Sequence, residues 1–325
     1  MNETKAPETP RKLGAKASRT RLSKLFDNRW AGLAGLLIAL LVPFVNASDY
    51  MLSIMTSAAI FAMLASGLNI VVGYTGLLDL GYAAFFAVGA YTSGVLSTRF
   101  DLPLLATVPA VIVVTVIAGI IVGAPTLRLR SDYLAIVTLG FGEIIRITAN
   151  NLPVTGGPSG IYGIPSLIDN QAAFYYITVA IVTVAIIGAS RLGRSRLGRA
   201  MRFVREDEDA AEASGVHTYR VKLAAYIAGA VWGGLAGVLF AGQLSAISPN
   251  SFTFLQSALV LMAVVLGGMG SVPGVVLGAI IISLLPELLR GAADYRFFIF
   301  GVLLIIVMLV RPQGLWPARS KEALK

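Results

Sequence analysis

The sequence predicts an all-α, polytopic membrane protein of about ten transmembrane helices with two glycine-rich breaks, and three observations lead there. First, of 325 residues 56% are hydrophobic and only 13% charged, with mean hydropathy +0.79. A soluble domain carries roughly 25% charged residues, so this chain cannot cover a water-facing surface. Second, apolar runs recur near the length of about 20 residues that a membrane span needs. Third, the basic residues behind the net charge of +9 cluster between those runs, as cytoplasmic loops do.

Ten apolar segments fall at about residues 30–47, 51–72, 79–97, 103–125, 133–150, 172–190, 221–243, 254–267, 273–290 and 295–310. The link 46–50 is short enough to make the first two an antiparallel hairpin. Residues 1–29 read as a disordered cytoplasmic tail, not a cleavable signal, because the basic stretch is too long and no cleavage pattern follows. Residues 30–316 form the transmembrane domain, and 317–325 a second cytoplasmic tail. With the N-terminus inside, the basic stretches 126–132, 191–220 and 311–325 all fall inside, and 151–171 and 244–253, free of Lys and Arg, fall outside. Arg99, Arg290 and Arg296 fall outside; Asp101 and Asp294 lie near them. The expected location is the cytoplasmic (inner) membrane of a bacterium, multi-pass, with both termini cytoplasmic.

The chemistry excluded is as informative. The chain has no cysteine and one histidine, His217, so disulfides, thiolate metal sites and histidine metal clusters are absent. There is no phosphate-binding loop. No catalytic residue, metal ligand or cofactor is predicted, and no basic stripe with interleaved aromatics points to nucleic acid. The lipid bilayer is the surrounding medium.

Two glycine-rich stretches interrupt apolar runs: Gly73, Thr75, Gly76 and Asp79 in the first, Gly267 and Gly270 in the second. The topology gives both the same orientation, as a parallel repeat would. Exposed backbone at membrane depth is tolerated only where protein or a water-filled cavity lines it. Asp79 therefore reads in two ways: a group that attracts a substrate's ammonium, or a cap for a helix beginning at Leu80. Glu143 and Arg146, three apart, share a helix face and read either as a neutralising bridge or as a lining of the solute path. Gly229, Gly233 and Gly237, like Gly119 and Gly123, line helix faces that permit close packing in lipid.

The stretch 195–215 has two short helices, Arg199–Val204 and Asp207–Ala213, stopped by Gly215. Arg199, Arg202, Arg205, Glu206 and Glu208 can form ion pairs across a subunit boundary; Met201, Phe203, Ala210 and Ala211 supply an apolar face. A solvated loop and a docking element both fit. The outer loop, with Asn150, Asn151, Thr155, Gly156 and Gly157, reads as a receptor for a partner or as a flexible connection.

Within that stretch, Asp209-Ala210-Ala211 followed by Gly215 resembles the coupling loop of bacterial ABC importer permeases, with Asp in place of Glu. GYTGLLDLGYAAFFAVGAYTSG (73–94), LRLRSDYLAIVTLGFGEIIRI (127–147), TGGPSGI (155–161), LGGMGSVPGVVLGA (266–279) and RPQGL (311–315) occur in the order seen in the M-type membrane subunit of branched-chain amino-acid ABC transporters. The resemblance covers about residues 50–316. It implies a second permease subunit, two ATP-binding cassette subunits that hydrolyse ATP, and a periplasmic or lipid-anchored substrate-binding protein. It also implies that Arg199, Arg202, Arg205, Glu208, Asp209, Ala210, Ala211 and Gly215 belong to the loop that contacts the ATPase. A permease for urea, short amides or another small polar solute would keep most of these motifs. A self-contained secondary transporter or channel would need no docking loop, and the glycine breaks with Asp79 speak against a structural scaffold.

Overall fold

The computed structural model describes residues 48–127, 131–168 and 170–288, with separate positions beyond that include 313–316. The chain divides into two units, Met1–Leu41 and Val42–Lys325; the described residues all belong to the second. The expected span 30–47 and both tails lie outside the described residues, as does most of 295–310.

Ten helices are described: α1 Asp49–Leu68, α2 Ala83–Phe100, α3 Val108–Thr126, α4 Ser131–Asn151, α5 Gln171–Arg194, α6 Arg196–Glu206, α7 Glu208–Ala213, α8 Thr218–Leu244, α9 Phe254–Gly267 and α10 Val272–Leu288. Capping side chains fix several starts: Ser48 for α1, Asn170 for α5, Ser195 for α6 and Asp207 for α7. Among the described residues, five helices are long and apolar enough to cross a membrane, and the α10 region is a shorter apolar helix. α2 and α4, of 18 and 21 residues, are less apolar. For α2 the reason is burial: its faces lie against neighbouring helices and carry small residues, not lipid-facing ones.

α1 and α8 form the interior and α3 the periphery. The most apolar stretch of α1 is 78% buried, that of α3 only 28%. The glycine faces expected of α8 and α3 are packing faces. A Cβ on Gly237 would stand 2.4 Å from the Phe86 carbonyl, and one on Gly119 3.2 Å from the Ala230 Cβ. Such close approach gives the van der Waals contact that associates helices in lipid.

The links segregate to two poles. At one, β1 (Ile161–Tyr162) pairs antiparallel with β2 (Ala246–Ile247), Ile164 N donates to Ser245 O at 3.1 Å, and Gln243 donates to Ser53 O at 2.9 Å. Arg99 reaches the Val154 carbonyl at this pole, not its neighbour Asp101. At the other, the Tyr219 hydroxyl donates to Ala124 O at 3.1 Å, and Lys222 of α8 pairs with Glu208 of α7 at 2.5 Å. The loops that charge assigns to one side therefore meet at one pole. The outer loop is built from two 3-10 turns and a strand.

Candidate functional site

The first glycine break begins where α1 loosens into a π turn, Asn69–Gly73. Such wide turns often mark functional positions. After a last helical turn at Tyr74 and Thr75, the chain is non-helical from Gly76 to Tyr82 and runs into the bundle. Its start lies against α5, where the Tyr74 hydroxyl donates to Ala189 O at 3.2 Å. Its end lies against α8, where the Tyr82 hydroxyl donates to Gly229 O at 2.8 Å.

Three side chains satisfy the backbone there. Thr138 Oγ1 of α4 accepts from Leu80 N at 3.1 Å, Asp79 Oδ1 accepts from Gly81 N at 2.8 Å, and Ser257 Oγ of α9 accepts from Ala83 N at 2.9 Å. Asp79 is fully buried. The helix therefore starts at Ala83, not Leu80, and Asp79 does not cap it: the carboxylate closes a local turn onto the residue two ahead, and Ser257 takes the helix terminus. The cause is Gly81, whose backbone presses on α4 so closely that an added Cβ would lie 1.8 Å from the Thr138 carbonyl oxygen.

The second break meets the first. Gly270 N donates to the side-chain oxygen of Asn69 at 2.8 Å, and a Cβ on Gly73 would stand 2.6 Å from Gly270 N. Gly267 and Gly274 touch backbone to backbone. Leu315 N and Trp316 N donate to Leu266 O and Gly267 O at 2.8 and 3.0 Å.

Beneath both lies the elbow of α6 and α7. Arg205 Nη1 donates to the Gly73 carbonyl, and its aliphatic stem lies against Gly76, which takes φ +73°. Arg202 Nη2 donates to Gly193 O at 2.5 Å. Met201, Val204 and Ala211 are buried with Ile70, Tyr74, Ala189 and Val272. This corrects the expected outward apolar face. Met201 and Ala211 turn into the bundle, while Ala210 is exposed and Phe203 half-buried. Arg202, Arg205 and Glu208 are likewise engaged within the chain. Arg199, Glu206, Asp209 and Glu212 remain on the exposed side, and Gly215 ends the elbow at φ +83°.

The predicted site residues thus fall into three groups. Gly73, Gly76, Gly270 and Arg205 come together, and Gly267 adjoins them through the second break. Thr75 is buried, its hydroxyl donating to Val71 O at 2.6 Å, and Asp79 sits deeper under α4. Glu143 and Arg146 stand apart on α4, bonded to each other through Nε at 3.0 and 3.1 Å. Sequence reasoning missed Asn69, Thr138 and Ser257. Their signal was a polar side chain inside an apolar run, a weaker cue than a charge.

Residues 50–308 match the family described as branched-chain amino acid transport system, permease component. The chain belongs to that family. The permease is 40% identical over 315 residues to the high-affinity branched-chain amino acid transport system permease protein LivM of Salmonella typhimurium, covering 88% of this chain and 74% of that one. The LivM of Escherichia coli gives the same values. It is 25% identical over 285 residues to the LivH permease of Escherichia coli, covering 80% and 92%. No solved structure matches the chain. The permease is therefore a transport component and not an enzyme, and a multi-pass protein of the inner membrane.

Proposed function

We propose that the permease translocates branched-chain amino acids as one of two permease subunits of an ABC importer. Two cytoplasmic ATP-binding cassette subunits hydrolyse the ATP and press on the α6–α7 elbow. A periplasmic or lipid-anchored binding protein delivers the solute at the pole of β1 and β2. Both termini are then cytoplasmic, because the elbow carries the basic cluster.

The observation that carries this reading is the grip of Arg205 on Gly73. Displacement of α6 moves the Gly73 carbonyl at the end of the π turn, and Asn69 ties that turn to Gly270. A push from outside the membrane thereby reaches both glycine breaks through hydrogen bonds. Asp209, Ala210 and Gly215 lie on the exposed side of the elbow, where the ATPase docks.

The test is leucine uptake into proteoliposomes holding the whole complex and its binding protein. Uptake is expected only with ATP inside. Arg205→Met is expected to lower it roughly tenfold, the scale of a 1–3 kcal/mol coupling, with ATPase assembly retained. Gly215→Pro, at the exposed end of the elbow, is expected to uncouple transport with the membrane fold intact. Uptake without the ATPase, or of urea and short amides in place of leucine, would overturn the reading.

A further inference from the structure

Two peripheral helices expose different surfaces. α3 presents Val113, Ile117 and Ile121, the last 65% exposed, on a face that is wholly apolar. That face suits lipid tails. α4 presents Ile136 and Ile144, 68% and 60% exposed, but the same outward side carries Glu143 and Arg146, whose side chains are 43% and 26% exposed. The pair sits past the middle of a 21-residue helix, with Ile144 and Ile147 beside it. An ionised pair there is costly against hydrocarbon, and such residues face protein or water. Nη1 of Arg146 makes no hydrogen bond among the described residues, so the pair offers a donor to whatever covers it. Beside it Gly140 is open among the described residues, with none of them within 4 Å of an added Cβ, a notch into which a neighbouring helix can press.

Resting on the reading above, we infer that the outward face of α4 around Gly140, Glu143 and Ile147 is the contact surface for the second permease subunit, a homologue of this chain and not a second copy. The choice of occupant follows from the comparisons. Escherichia coli has two permeases similar to this chain, LivM at 40% and LivH at 25% identity. The M-like character of this chain leaves the other type as its counterpart. α4 is also the helix whose Thr138 holds the first glycine break, so a shift at this interface acts directly on that break.

The experiment uses the assembled transporter in its native membrane. A photo-reactive benzoyl-phenylalanine replaces Ile136, Ile144 or Ile147 on α4, and Val113, Ile117 or Ile121 on α3. Irradiated complexes are resolved by mass, and the adducts identified by peptide mass spectrometry. The α4 positions are expected to shift the band to the sum of this chain and the second permease; the α3 positions are expected to give lipid adducts only. Adducts to the second permease from α3, lipid alone from α4, or a dimer of this chain from α4 would each overturn the inference. Leucine uptake by the same complexes separates the two readings. Uptake with the wrong adducts sinks the interface alone, and correct adducts without leucine uptake sink the solute alone.

Discussion

The two glycine breaks look alike in sequence but are held in different ways. The first is held by side chains: Thr138, Asp79 and Ser257 each accept from one of its backbone N–H groups. The second is held mainly by backbone: Leu315 and Trp316 donate to its carbonyl side and glycine packs on glycine, while its N–H groups at Gly270 and Gly274 find the side-chain oxygens of Asn69 and Ser271. Hydrogen bonds from side chains can be removed one at a time; a backbone clamp depends on chain continuity. The difference teaches that a glycine-rich interruption at membrane depth has no single solution to its exposed polar groups. It also makes the two breaks separable by experiment.

The largest expected effect strikes the close approach common to both. Gly81→Ala places a Cβ 1.8 Å from the Thr138 carbonyl oxygen, and Gly267→Ala one 2.2 Å from the Gly274 carbonyl oxygen. Backbone cannot swing away as a flexible side chain does, so each change should cost about 3 kcal/mol or more. Thermal unfolding in detergent should show a large drop in midpoint for both. A normal midpoint for either would remove close packing as the common element.

Next comes a change that should separate them. Truncation after Gln313 removes the two donors that clamp the second break, at about 1–3 kcal/mol for each carbonyl left buried without a partner. The chain has no cysteine, so single reporters are clean. Ser271→Cys, at a site buried in the second break, should become reactive to maleimide on truncation. Thr75→Cys, buried in the first, should stay slow. Equal reactivity at both would mean that the breaks open as one unit. In the reverse direction, Thr138→Val or Ser257→Ala should cost about 1–2 kcal/mol each and expose Thr75→Cys first. Thr138→Ser, which keeps the acceptor, should restore protection.

Much of this was legible in the sequence for a physical reason. Apolar runs and charge clusters are local, and they marked the helices between 49 and 288, the two breaks and the elbow to within a few residues. The pairing of loops at each pole followed from charge alone. What could not be read was held by partners distant along the chain. Leu80 and Thr138 are 58 residues apart, Ala83 and Ser257 174, and Asn69 and Gly270 201. No periodicity carries such a pairing. The misreading of Met201 and Ala211 has a related origin. An amphipathic elbow has an apolar face by sequence, but whether that face meets its own bundle or a partner depends on the fold.

The smallest expected effect is also the one that decides what Asp79 is for. Its carboxylate accepts from Gly81 N at 2.8 Å and is shielded from solvent. Asparagine keeps an oxygen at the same reach, so Asp79→Asn retains the turn and removes a buried charge, which is costly unless paired. If the carboxylate serves the turn alone, stability and leucine uptake should both stay near those of the unaltered protein. Asp79→Ala, which leaves Gly81 N without its acceptor, should lose about 1–2 kcal/mol. If instead the charge draws the ammonium of a passing amino acid, Asp79→Asn should raise the apparent KM for leucine with the unfolding midpoint unchanged. The two outcomes differ in which measurement moves. The bond of the carboxylate to Gly81 N supports the first outcome.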